Sequence, residues 1–503
     1  MSTVTGMTAH AAEPVSNAST QTLATIQVSA HPLNRSAEDL VSPNSIIEPE
    51  RLFQQNSSTL AEALDGQLGV RAETFGAGAA RPVIRGQTAP RVKVLSDGVA
   101  LLDASEISPD HNIPIEPMLA ERVEILRGPA TLLYGGGAIG GVVNVLDRKI
   151  PTTMPEKGVE GQAGLRINSA AAERAAIFGI TTALSDNLAL RLEGVSRKTT
   201  EYRAPKNFSM THEDGDVESP KRISGTATEG DQFSVGLSWI DDRGYLGVAY
   251  SKNSNDYGLS GHSEAYADCG LAAGLTLNCD PQGQIDPPEH EHEEEAPVIR
   301  LRSERVDLRG ELANPFAGIE KLRLRAGFTD YQHQEIEGGA VGTTFSNRGF
   351  NTRLELEHQP VAGWRGVVGL QQQHAEFSVK GEEGFLPTTD TRNIGLFLLE
   401  HYQWQDWHFE LGARQEWQQV TPDNAQAVSD VRGTSVSASA LWDFAPTYSL
   451  VGSLSRSQRL PHAQELYANG VHLATNTLEL GDVNLGAETS LNAELGLRRT
   501  DAD

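Results

Sequence analysis

From about residue 158 onward, the chain alternates apolar and polar side chains in segment after segment. In "KLRLRAGFTDYQHQEIE", Leu322, Leu324, Ala326 and Phe328 share one face, while Arg323, Arg325, Thr329 and Tyr331 share the other. "VDLRGEL" sets Val306, Leu308 and Leu312 against Asp307, Arg309 and Glu311. "WHFELGARQEW" aligns Trp407, Phe409, Leu411, Ala413 and Trp417. A period of two is the mark of a strand with two unlike faces. In a soluble sandwich the apolar face meets a second sheet; in a membrane barrel it meets lipid, and the polar face lines the lumen. The connections decide between these. Short links ("ANPFAGIE", "QPVAG", "QD", "APT") alternate with long ones near residues 200–230, 253–296 and 461–488. That asymmetry fits a barrel with periplasmic turns on one rim and extracellular loops on the other. About fourteen alternating segments can be counted, the last near residues 490–499. Trp404 and Trp407 flank a two-residue turn, where they suit an aromatic girdle.

Composition narrows the function. Asp and Glu total 67 against 41 Lys and Arg, a net charge of -26, so a nucleic-acid groove is not expected and cations are attracted. No apolar run is long enough for a membrane-spanning helix, which leaves a barrel open. Cys269 and Cys279 sit close together in "CGLAAGLTLNC" and read as a local disulfide in an oxidising compartment. "AHAAEP" resembles a small-residue cleavage site with the cut after Ala11, so residues 1–11 read as the remnant of a signal peptide.

Residues 12–151 have another texture, with short apolar runs between glycines. Gly135, Gly137 and Gly140 match the dinucleotide pattern G-x-G-x-x-G, but a β-branched "GVVNVL" follows where that fold needs a helix. The glycines are expected to serve tight turns against a barrel wall.

"AERVEILRGPATLLYGGGAIGGVVNVLDRKIP" (residues 120–151) resembles the end of the plug domain of TonB-dependent outer-membrane receptors. "RPVIRGQTAPRVKVLSDGV" (residues 81–99) resembles an earlier plug segment, and "ATIQVSA" (residues 24–30) a TonB box. The resemblance implies an N-terminal α+β plug inside an antiparallel transmembrane β-barrel of about 22 strands, of which about 14 are counted here. It divides the chain into a TonB-box segment at 12–35, a plug at 36–155 and an incomplete barrel at 156–503. It also implies a monomeric transporter in the outer membrane. Such a transporter is not an enzyme and has no prosthetic group. Its partner is the TonB energy-transducing protein, which pairs with the box as an added strand through Ile26 and Val28. Arg122 and Arg127 are expected to pair with barrel carboxylates such as Glu488 or Glu494.

The family leaves the ligand open, and the 14 histidines bear on it. "SPDHNIP" sets Asp110 beside His111 between two prolines, a pairing that suits Zn²⁺. Carried along the strand from Lys321, the alternation turns His333, Glu335 and Glu337 to the lumen near the mouth. His462 and His472 fall in a long extracellular loop. Asp110, His111, one of Glu335 or Glu337, and His472 are the expected zinc ligands, with His462 and His333 in reserve. "PPEHEHEEE" reads either as a solvated acidic run or as a metal-gathering antenna made of Glu289, His290, Glu291 and His292, with His262 in the same loop. The set is most similar to the zinc-uptake branch of the family, with zinc as the transported ligand. Haem or ferric-siderophore uptake is the alternative. A surface adhesin or ligand-sensing receptor without transport is the alternative of another class.

Overall fold

The computed structural model describes residues 33, 44–55, 57–206, 210–211, 217–219, 221–259, 270–272, 276–278, 297–472 and 477–499. Ile26, Val28, Cys269, Cys279, His262, Glu289, His290, Glu291 and His292 lie outside them, as do residues 1–11.

The N-terminal unit is a small mixed sheet. Strands β1 (Asn44–Ile47), β2 (Val92–Ser96), β3 (Val99–Ala100), β4 (Ala120–Leu126) and β5 (Gly141–Asp147) lie in the order β1-β4-β5-β2-β3, with β2 and β5 parallel. "ERVEIL" and "GVVNVL" are β-branched and form its centre. Val123, Ile125, Val143 and Val145 pack in one core with Leu60 and Leu64 of the helix Leu60–Leu64. That helix opens on a capping box, Thr59 with Glu62, which satisfies two backbone donors that would otherwise lack partners.

Fourteen antiparallel strands follow: β6 (Val159–Asn168), β7 (Glu173–Ala183), β8 (Leu188–Lys198), β9 (Thr228–Asp241), β10 (Gly244–Gly258), β11 (Val298–Ala313), β12 (Ile319–Glu337), β13 (Ala340–His358), β14 (Trp364–Gly381), β15 (Thr389–Trp404), β16 (Trp407–Pro422), β17 (Ser429–Ala445), β18 (Tyr448–Arg459) and β19 (Glu488–Arg499). Each pairs with its neighbours in sequence, and β6 and β19 are the two edges of an open sheet among the described residues. The alternation read from the sequence is the inside–outside pattern of the wall. Phe178, Ile180, Val248, Phe328, Leu370 and Leu396 are exposed outward, whereas Arg191, Glu193, Arg305, Asp307, Arg353 and Glu355 are buried inward. No helix among the described residues is long and apolar enough to cross a membrane. Trp404 pairs with Trp407 across its turn, and Trp407 stacks on Trp442 at 5.2 Å, so aromatic rings gather at the short-turn rim.

Charge pairs join the small sheet to the wall. Arg309 reaches Asp97 (2.5 Å) and Asp147 (2.7 Å), and Lys149 reaches Asp307 (2.7 Å). The guanidinium groups of Arg353 and Arg414 both donate to the Leu133 carbonyl, at 2.7 and 3.0 Å. The arginine assignment from sequence is corrected here. Arg122 pairs with Glu124 on its own strand, and Arg127 donates to Ser45 and the Leu68 carbonyl. Both therefore brace the small sheet. Glu488 instead takes Arg91 and Arg459, and Glu494 takes Arg85.

The glycine run serves close approach. Strand β5 follows it, and Gly136 donates its N–H to Glu416 at 2.8 Å. A Cβ on Gly136 would lie 1.8 Å from the Gln458 carbonyl oxygen of β18. Gly136→Ala is expected to cost about 1–3 kcal/mol through overpacking of this seam. Gly452→Ala, with open space around its Cβ, is the control. Urea unfolding checks this: equal midpoints for the two variants would refute tight packing at Gly136.

Candidate metal centre

Three separate pieces of chain meet at the long-loop end of the lumen. The first is the loop holding Asp110 and His111. Tyr257, at the end of β10, clamps it: the hydroxyl donates to the Asp110 carbonyl and accepts from the Asn112 N–H, both at 3.0 Å. The second is β12. His333 and Glu335 follow Tyr331 on its inward face, with Gln332 exposed and Gln334 half-buried between them. The third lies between β18 and β19. There the helix Ala463–Tyr467 leads into a hairpin of Asn469–His472 and Thr477–Leu480, which carries His472.

The donor atoms converge. Asp110, His111 and His472 offer ligand atoms all within 4.8 Å of one another, and so do His111, His333 and Glu335. His111 Nε2 lies 3.1 Å from Asp110 Oδ2 and 3.9 Å from Glu335 Oε1, and His472 Nε2 lies 4.0 Å from Asp110 Oδ1. Ligands around a tetrahedral zinc at ordinary bond lengths stand about 3.4 Å apart. Asp110, His111, His333 and His472 are fully buried, and Glu335 nearly so. Among the described residues His333 Nε2 and Glu335 Oε1 have no hydrogen-bond partner, and Asp110 Oδ2 and His111 Nε2 have only each other as an ion pair. An unsatisfied buried polar atom costs about 1–3 kcal/mol, so the donors left over around His111 call for a shared partner.

The far side of each imidazole is held. His111 Nδ1 donates to the Ala104 carbonyl (3.1 Å) and His472 Nδ1 to the Glu479 carboxylate (3.0 Å), so both turn Nε2 inward. His333 Nδ1 meets the Tyr331 hydroxyl at 3.0 Å. Such outer contacts fix ring orientation and tautomer in metal sites. Phe345 stacks on His333 at 4.5 Å, and Phe385 on His472 at 5.0 Å, closing the site to water.

Electrostatics fit a cation. Burial by itself would lower the basicity of His111, but the Asp110 carboxylate and then Glu335 override it and push the imidazole up to about 10. Burial likewise opposes ionisation of Asp110, yet His111 and His472 hold its carboxyl well below the usual range. Without a metal, a proton on His111 Nε2 fills the place of the positive charge.

Among the seven residues expected at the site, Glu337 and His462 stand elsewhere. The β12–β13 ladder shifts register between Glu335 and Ile336, so the period of two stops there and Glu337 ends up opposite Ala340 at the hairpin tip. His462 is the N-cap of the helix Ala463–Tyr467, in a capping box with Glu465. The sequence reading passed over Glu479, Tyr331 and the Ala104 carbonyl. Glu479, in "NTLELGD", has no local signal, because only the hairpin brings it to His472.

Two family models match this chain: a TonB-dependent receptor plug domain over residues 36–142, and the TonB-dependent receptor-like β-barrel over residues 252–503. The chain belongs to the TonB-dependent receptor family. Its five-stranded unit is the plug, and its wall is part of an outer-membrane barrel. A vitamin B12 transporter of Vibrio vulnificus is 24% identical over 338 residues, which cover 65% of this chain and 53% of the relative. Its counterpart in Photobacterium profundum is 32% identical over 121 residues, covering 24% of this chain and 20% of the relative. The chain thus spans about half the length of the first of these relatives. Among solved structures, the copper transporter OprC superposes with a TM-score of 0.70 at 15% identity, covering 91% of this chain and 70% of that one. The Serratia marcescens hemophore receptor HasR gives 0.70 at 14%, covering 91% and 69%. At these identities the likeness concerns the fold.

The His111 ion pair makes a pH prediction. An imidazole raised from 6.5 to about 10 adds stability that is fully present below pH 6.5 and is lost as pH rises toward 10. Chelator-treated receptor should therefore lose thermal stability across pH 6.5–10 more steeply than its His111→Gln variant. Parallel melting curves for the two would refute the pairing.

Proposed function

We propose that this receptor takes up a divalent transition-metal ion, zinc, bound between the plug apex and the extracellular loops at Asp110, His111, His333, Glu335 and His472. The observation that carries this reading is the gathering of buried donors from plug, barrel and loop into two triads that share His111. Three imidazoles and two carboxylates are a borderline-to-hard donor set, suited to zinc and, by the affinity order, also to copper. The cargo crosses unchanged, with no bond of it made or broken. In this reading Ile26 and Val28 pair with TonB as an added strand, and the pull on the plug withdraws Asp110 and His111 from the barrel ligands. The His290 and His292 run gathers cations at the entrance. Haem and ferric siderophores fit less well, because the donors are closed in by Phe345 and Phe385 and spaced for a single ion. An adhesin or a sensing receptor would have no need of an enclosed donor set.

Equilibrium dialysis of the full-length chain in detergent, with Zn²⁺ and in parallel Cu²⁺, tests the proposal. One tight zinc equivalent is expected. Glu479→Gln should weaken it about 10–100-fold by freeing the His472 ring, and His111→Ala should weaken it further. Deleting residues 287–295 should leave this equivalent in place. No tight metal in the unmodified chain would sink the reading.

A further inference from the structure

Tyr257, near the upper end of β10, touches two parts of the plug at once. The inward row of that strand runs Ser251, Asn253, Asn255, Tyr257, so the period of two turns the ring to the lumen. The side chain is 1% exposed and packs with Ala79, Leu259 and Ile299. A Cβ on Gly78 would stand 2.2 Å from the Tyr257 Cβ, so the plug turn at Gly78 presses on the base of the ring and leaves it no room to retract. The hydroxyl uses both of its hydrogen-bonding capacities, donating to the Asp110 carbonyl and accepting from the Asn112 N–H, at 3.0 Å each. These two backbone groups bracket His111. Among the described residues, no other barrel side chain hydrogen-bonds the backbone of residues 108–114. The ladder supplies an independent sign. Tyr257 stands opposite Ile299 on β11, and Ile299 stands opposite Glu335 on β12, so Tyr257 and the ligand Glu335 share one cross-strand row. With neighbouring strands about 4.8 Å apart, the hydroxyl holds the plug loop two strands from that carboxylate and at its level.

We propose that Tyr257 is a positioning residue of the metal centre at the upper, long-loop end of the lumen: through its hydroxyl the barrel ladder sets the height of Asp110 and His111 against His333 and Glu335, and so sets the zinc affinity. The proposal rests on the zinc reading of that centre and adds to it a barrel residue that does not touch the ion. Holding the peptides on both sides of His111 fixes the Cα positions from which the two plug ligands project. Withdrawal of the plug loop must break both hydrogen bonds in the same movement that parts the ligands. The hydroxyl therefore orders the loop for binding and also slows release.

Zn²⁺ and Co²⁺ titrations of the full-length chain in detergent test this, with Tyr257→Phe set against the unmodified chain and against Tyr250→Phe, a ring exposed on the outer face of the same strand. Phenylalanine keeps the packing against Gly78 and removes both hydrogen bonds. Tyr257→Phe is expected to bind zinc about tenfold more weakly and to yield it faster to a chelator. It should also change the visible bands of bound Co²⁺, which report ligand geometry and which a merely structural residue would leave alone. Saturation at one equivalent reports that the variant is folded, and Tyr250→Phe should match the unmodified chain. Unchanged affinity and unchanged Co²⁺ bands in Tyr257→Phe would overturn the positioning role and leave the zinc reading standing. A Tyr257→Phe chain that no longer melts cooperatively without metal would overturn it too, by making the residue a support of the fold. Absence of tight zinc from the unmodified chain would overturn the zinc reading and this role with it.

Discussion

Lipid outside the wall forces polar groups inside it, and those groups need partners. Each strand that turns Phe328 or Leu370 outward turns arginines and carboxylates inward. Unpaired charges in so closed a space would cost several kcal/mol each. The plug answers this demand with Asp97, Asp147 and Lys149, which meet Arg309 and Asp307. It also answers with the Leu133 carbonyl, which Arg353 and Arg414 share. These contacts set the plug's height and rotation in the lumen. The loop with Asp110 and His111 consequently reaches the level of His333 and Glu335.

The upper centre depends on that placement. No single element holds more than two of its donors. The plug brings Asp110 and His111, one strand brings His333 and Glu335, and a loop hairpin brings His472. Coordination in the proposed function would therefore report the relative position of three bodies. In the proposed function, a plug that moves by a few ångströms loses metal binding outright, because zinc holds its ligands at about 2 Å and tolerates little stretch. Affinity and release then follow from the same geometry, with no separate gate.

The strands were legible because period two survives any loop length, and the short–long alternation of links gave the membrane its sides. Asp110 and His111 were legible as a Pro-bounded pair. The errors came where a local rule broke. The alternation that picked out His333 and Glu335 was carried on to Glu337, across a register shift that only the β12–β13 ladder reveals. His462 looked like a ligand, but "HAQE" also fits a histidine capping its helix with Glu465 three residues on, and the helix wins. The seam carboxylates Glu488 and Glu494 were chosen correctly and given the wrong arginines. Arg85 and Arg91 reach them from the segment after β1, whereas Arg122 and Arg127 are turned back into the plug. Sequence separation gives no hint of such pairings.

The donor chemistry says more about selectivity than the fold does. Relatives of the same architecture are named for cobalamin, copper and a haem-carrying protein, so the barrel and plug are a common frame. Large ligands need an open bowl and contacts spread across it. Here the apex is shut by Phe345 and Phe385 over imidazoles whose outer nitrogens are already engaged. Such a site gains its affinity from pre-set ring orientation, and loses it if any one outer partner lets a ring turn. In the proposed function, discrimination between zinc and copper falls to geometry, because a site that holds its ligands away from a square plane penalises the tetragonal preference of Cu²⁺ and offsets its higher intrinsic affinity.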